Sequence, residues 1–199
     1  MILTALAAVM TMAANAQVFV VESGNIVEVF QNDKTAKVKH DFSNAKLANL
    51  SDKKLTDDLF MEDLKTRDPG FYNAWDSHEK EFTQFFVDRW TEYKDALKMV
   101  TTDEPTDYTL LIKFDYIDMG NVGAALWSLS KKSGGIMMRG TIELTDASGN
   151  NVCTVKVNDY RGMAVRGFDM KMPSFGRRLA LFHKSLAKEF LDFAKKQAK

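Results

Sequence analysis

From Asp107 to Asp118 the chain alternates with a period of two. Tyr108, Leu110, Ile112, Phe114 and Tyr116 fall on one face, with Asp118 at the end of that row. Leu111, Lys113, Asp115 and Ile117 fall on the other. A run this long fits a β-strand with one face in a core and the other in water. It commits the chain to a sheet whose dry face needs a covering layer. Ile136 to Leu144 predicts a second strand, and Asp146-Ala147-Ser148-Gly149-Asn150 a turn. Val152 to Tyr160 then returns antiparallel as a hairpin.

The covering layer is written in two helical stretches. After Ser77 as a candidate N-cap, Phe82, Phe85, Phe86, Trp90, Tyr93, Leu97 and Val100 recur at three- and four-residue steps. They form an aromatic stripe suited to packing on a sheet. Ser174 to Gln197 predicts a closing helix, with Leu179, Phe182, Leu186, Phe190 and Phe193 on one side. Lys195, Lys196 and Lys199 stand at its C-terminal end, where the helix dipole favours cations. A shorter helix is expected over Leu55 to Lys65, ended by Asp68-Pro69-Gly70.

Three strands are expected before these helices: Gln17 to Ser23, Ile26 to Phe30 after the Gly24-Asn25 turn, and Ala36 to Phe42. In the last, Ala36, Val38, His40 and Phe42 alternate with polar residues. The three are expected to form a small meander. The order β-β-β-α-α-β-loop-β-β-α predicts an α+β fold. Its sheet should be mostly antiparallel, with two long amphipathic helices packed on one face. Residues 17–199 are expected to form a single α+β domain, with no repeat or interdomain linker.

Residues 1–16, MILTALAAVMTMAANA, carry an uncharged apolar run that ends in Ala14-Asn15-Ala16. That small-x-small ending predicts a signal peptide cleaved after Ala16. The run falls short of the ~20 apolar residues of a membrane-spanning helix, and no transmembrane segment is expected in the mature chain. Gln17 stands where a lipoprotein would need Cys. The expected location is therefore periplasmic or secreted.

Lys plus Arg and Asp plus Glu are 27 each, which gives no bulk electrostatic drive toward nucleic acid. The single Cys, Cys153, lies in an apolar alternation and reads as a small core residue. One thiol also excludes a Cys-based zinc cage. His40, His78 and His183 are far apart in sequence, and Phe82 replaces the second His of an H-E-x-x-H pattern begun by His78-Glu79. No metal or cofactor is expected. Ser128-Leu129-Ser130-Lys131 matches S-x-x-K, but no S-D-N or K-T-G follows. A serine hydrolase built on Ser128 and Lys131 is the weakest of the functional readings.

The Gly-rich segment Met119 to Met138 interrupts the sheet and carries apolar groups. Leu126, Trp127, Leu129, Met137 and Met138 are the candidate interaction surface, since long apolar loops often serve binding. The alternative is a core plug. A second functional reading is a carrier holding a small apolar ligand between the sheet and the aromatic stripe.

Asp107-Tyr108-Thr109-Leu110, then a Gly-rich break, then Gly140-Thr141-Ile142-Glu143-Leu144-Thr145-Asp146 and Gly149-Asn150 form one cadence, in which Asp41-Phe42-Ser43-Asn44-Ala45 also fits. It resembles small exported α+β domains of uncharacterised Bacteroidetes proteins, and distantly the periplasmic domain of curli-secretion lipoproteins. The resemblance implies an exported α+β domain of a Gram-negative envelope. The leading expectation is a non-enzymatic binding or interaction module, partnered by an envelope protein or by a second copy of itself.

Overall fold

The computed structural model describes residues 17–101, 104–120, 134–163 and 174–199. Among these residues the fold is α+β, with eight strands in one open mixed sheet and four α-helices. The strands are β1 (Phe19–Gly24), β2 (Thr35–Asp41), β3 (Lys46–Asn49), β4 (Lys54–Leu59), β5 (Lys98–Met99), β6 (Tyr108–Asp118), β7 (Met137–Asp146) and β8 (Asn151–Arg161). The helices are α1 (Phe60–Arg67), α2 (Pro69–Asn73), α3 (Trp75–Trp90) and α4 (Phe175–Gln197).

The sheet runs β1-β8-β7-β6-β2-β5, and β3 also pairs with β6, carrying β4 beside it. The β6–β7–β8 meander is antiparallel, its β7–β8 half joined by the predicted Asp146–Asn150 turn. The N-terminal strands do not form a meander. β1 crosses to pair antiparallel with β8, while β2 and β3 lie parallel to β6. A parallel neighbour needs a long crossover, and the segment between β2 and β6 supplies one that contains α1, α2 and α3.

Three local expectations are corrected. Ile26–Phe30 is a 3-10 helix, not a strand. Gly24, at φ 76, turns the chain, and the Asn25 side chain accepts from Val27 N at 3.1 Å. Leu55 to Leu59 belongs to β4, so the first helix starts later, at Phe60. α3 starts at Trp75, ahead of Ser77, and ends at Trp90, so Tyr93, Leu97 and Val100 follow it in a turn and in the β5 region. Asp68 caps α2 by accepting from Phe71 N at 3.0 Å, and Pro69 opens that helix where its missing N–H costs nothing.

β6 keeps the predicted alternation as far as Phe114, with Leu110, Ile112 and Phe114 buried. Pairing then skips from Phe114↔Gly140 to Tyr116↔Arg139, so Asp115 is an extra residue. This bulge turns Ile117 to the core and leaves Tyr116 half-exposed, while Asp118 is buried on the other face, where it accepts from Leu50 N. β8 carries a second irregularity beside it. Met138 faces Tyr160 and Gly140 faces Val157, while Asp159 sits at φ 47 and holds Arg139 at 2.8 Å.

α3 and α4 pack against each other over one face of the sheet. Rings fill the space between. Phe114 stacks on Phe42 at 4.1 Å, Tyr160 meets Phe182 edge-on, and Phe19 meets Phe190. Tyr160 donates to Ser185 Oγ at 2.9 Å, and Ser185 Oγ donates to Phe182 O, so the buried hydroxyls are satisfied. The opposite face is polar. Lys113 pairs with Glu143 at 2.9 Å, and Lys156 with Glu22 at 3.7 Å.

Gly140 tests the bulge. A Cβ there would lie 2.0 Å from Lys113 O, within the backbone of the neighbouring strand. We predict that Gly140→Ala costs about 1–3 kcal/mol in urea unfolding. Gly70→Ala, where the nearest atom is Asp68 Oδ1 at 3.7 Å, stays within about 0.5 kcal/mol.

Candidate functional site

The predicted interaction residues fall into two groups. Met137 and Met138 open β7 and are buried, paired with Asp118 and Ile117 across the sheet. Met138 joins the hydrophobic core, while Met137 faces the other side of the sheet, where Ser51 Oγ lies 3.9 Å from its sulfur. Leu126, Trp127 and Leu129 lie outside the described residues, as do Ser128 and Lys131.

The sheet end from which that loop departs is well built. Asp118 accepts from Leu50 N at 2.9 Å and from Gly120 N at 2.8 Å. Arg178 of α4 donates to Gly120 O at 3.3 Å. Burial lowers the Arg178 pKa from its ordinary value, against a weaker opposing pull from Asp118. Arg161 donates to Ser51 Oγ at 2.6 Å, so β8 is tied to the turn between β3 and β4. Gly162 N donates to Ile136 O, and Met163 N to Ser185 Oγ. Thus β3, β4, β6, β7 and β8 all deliver chain to one end of the fold.

Apolar groups are exposed along this region. Leu55 and Leu59 of β4 are 46% and 40% exposed, and Met163 is 42% exposed. All six residues of β4 are exposed, and β4 pairs only with β3. Lys46 holds Asp57, which lies between the two leucines in sequence, at 2.7 Å.

The aromatic stripe of α3 is consumed by packing. Phe82, Phe86 and Trp90 are fully buried. Trp90 lies 5.6 Å from Phe86 and 6.1 Å from Phe190, and its indole N–H donates to Leu97 O at 2.9 Å. The wall that a carrier would need is therefore the interior of the helix–sheet interface. Cys153 is buried, which pushes its thiol up to about 11 and keeps it protonated and unreactive.

The histidines yield a finding that sequence spacing does not show. His40 of β2 and His183 of α4 meet edge-on, with ring centroids 4.7 Å apart. Phe82 lies against both, stacked on His183 at 4.3 Å and edge-on to His40 at 4.9 Å. His183 Nδ1 bonds Leu179 O at 2.8 Å, which assigns its proton to Nδ1. Its Nε2, and both ring nitrogens of His40, have no hydrogen-bond partner among the described residues. Burial drives both imidazoles below their ordinary range, His183 to about 3. Glu79 Oε1 stands 3.9 Å from His40 Nδ1, and burial raises that carboxyl. Two neutral imidazoles among phenyl rings serve as packing groups at neutral pH. Among the described residues no cluster of three or more His, Cys, Asp or Glu could hold a metal ion.

No protein-family model matches the chain, and no curated protein matches it. The resemblance to exported Bacteroidetes domains gains no support from these comparisons. Solved structures similar to the chain include a PelC dodecamer from Paraburkholderia phytofirmans, at 12% identity and a TM-score of 0.38, covering 86% of this chain and 97% of that one. A leucine-to-methionine variant of the PelC dodecamer from the same organism gives 13% identity and a TM-score of 0.36, covering 86% and 96%. Likeness at this level carries no functional argument. Among the described residues no helix is long and apolar enough to cross a membrane.

The buried histidines set a pH dependence. Unfolded imidazoles take up protons near pH 6.5, while the folded ones resist until well below it, His183 to about 3. The unfolded state therefore binds more protons in that window, and stability falls as pH drops from 6.5 toward 3. Each histidine contributes up to about 1.4 kcal/mol per pH unit. We predict a steep loss of melting temperature between pH 7 and pH 5, flattened in His183→Phe. An equal slope in that variant would assign the loss to other groups.

Proposed function

We propose that this chain is an exported envelope protein acting as a non-enzymatic interaction module. It grips an envelope protein, or a second copy of itself, at the sheet end that carries the Met119–Met138 segment. The observation that best supports this reading is β4, an exposed edge strand with Leu55 and Leu59 in solvent and its outer side unpaired among the described residues. Such an edge is a template for a partner's strand, and its apolar side chains add area to the contact. Leu126, Trp127 and Leu129 complete the surface, extending the sequence-based expectation. Met137 and Met138 support it by fixing the strand into which that segment returns.

Export rests on the apolar leader and its Ala14-Asn15-Ala16 ending. β1 begins at Phe19, so cleavage after Ala16 leaves every described element intact. N-terminal sequencing of protein recovered from the periplasm or medium is expected to read Gln17 first.

The surface is tested with Leu55→Glu/Leu59→Glu and, separately, Trp127→Ala. The mature chain is examined by light scattering and by pull-down from envelope extract. We expect both variants to lose the complex that wild type forms, with unfolding free energy changed by less than about 1 kcal/mol. A complex retained by both variants moves the surface elsewhere. A wild-type chain that is monomeric and captures nothing overturns the interaction reading.

A further inference from the structure

We infer that the outer edge of β2 is a docking slot for a short, extended, acidic peptide that adds to the sheet in line with β5. The slot is separate from the β4 surface.

β2 is lined by β6 from Ala36 to Asp41, but on its other side β5 covers only Thr35 and Ala36. The last bonds there run from Lys98 N to Lys34 O and from Val100 N to Ala36 O, both at 2.9 Å. Backbone groups in a strand point to the same side at every second residue. Val38 and His40 therefore aim their N–H and C=O outward, in the direction of β5 but beyond its end. Among the described residues no strand meets them. Their side chains turn the other way, into the helix layer, where the His40 ring is 1% exposed. The edge is thus fixed by a buried anchor at each alternate residue.

This edge opens into a cleft of about 560 Å³ between β2 and α3. It is lined by Lys37, Val38 and Lys39 from β2, by Glu79, Lys80, Thr83 and Gln84 from α3, and at one end by Val100 and Thr101, where the chain leaves β5. Among the described residues, the edge from Val38 to Asp41 that no strand covers spans ~13 Å, enough for an extended segment of about four residues.

Charge selects the occupant. Lys37 and Lys39 flank the slot on the wet face of the sheet, and Lys80 lies on the helix side, against the single carboxylate of Glu79. Lysines on an open edge repel basic strands and make burial beneath an apolar one costly. The same lysines attract a strand with alternating carboxylates. Main-chain bonds to Val38 and His40 supply the affinity, and the lysines supply the sign preference.

The probe is a fluorescein-labelled hexapeptide of alternating glutamate and valine. Its controls are the lysine–valine counterpart and the acidic peptide N-methylated at alternate amides. Binding is read by anisotropy, and the site by amide exchange at Val38 and His40. The acidic peptide is expected to bind below about 1 mM, at least about tenfold tighter than either control. Exchange at the Val38 and His40 amides slows on binding, while Lys37 and Lys39, already facing β6, change little. Lys39→Glu/Lys80→Glu changes only exposed side chains and is expected to abolish the preference. Leu55→Glu/Leu59→Glu is expected to leave this binding intact, so the two surfaces fail or stand separately. Equal binding of the N-methylated peptide, unchanged Val38 and His40 amides, or no binding at all would each overturn the slot.

Discussion

Rings from the sheet and rings from the helices meet in one seam, and the positions of the other elements follow from it. Phe42 and Phe114 come from the sheet side, Phe82 from α3, and Phe182 with His183 from α4. Each touches at least one ring from another element, so neither helix can shift without breaking stacked or edge-on contacts. Aromatic pairs add about 0.5–1.5 kcal/mol each beyond the area they bury. The two histidines belong to this seam by shape. They fill ring-sized sites while withholding their nitrogens from solvent, and that limits the pH range in which the seam is stable.

Much of the architecture was legible in the sequence because it rests on short-range periodicity. The alternation of β6, the Asp146–Asn150 turn and the apolar face of α4 each reflect neighbours within a few residues. Asp146 shows why the turn is readable, since its carboxylate accepts from Ser148 N and Asn150 N within the same loop. The parallel partners of β6 were not legible, because no local pattern says which distant strand lies alongside. Ile26–Phe30 misled for another reason. Its Val and Ile content favours a strand, but a capping Asn and a left-handed Gly impose a tighter helix.

The sites divide in the same way. His40 was readable as an inward-facing strand residue, and His183 stands one position after a stripe residue of α4. Their meeting across the chain was not readable, since tertiary packing alone creates it. Leu55 and Leu59 were assigned to a helix face by their spacing. A four-residue step also places two residues on one face of a strand, so the pattern suits both structures. Met137 and Met138 stand both at the end of the Gly-rich segment and at the start of the expected strand from Ile136, and pairing with Asp118 and Ile117 places them in β7.

The pairing of β1 with β8 joins residues from opposite ends of the chain, Phe19 against Val157. Until β8 is complete, the inner edge of β1 has no ladder to join, and the aromatic rings of β1 and α4 cannot meet. The meander of β6, β7 and β8 closes through shorter loops and has the kinetic advantage. The β1–β8 pairing spans the longest sequence separation of any strand pair among the described residues, so it carries the largest loop-closure cost in the sheet.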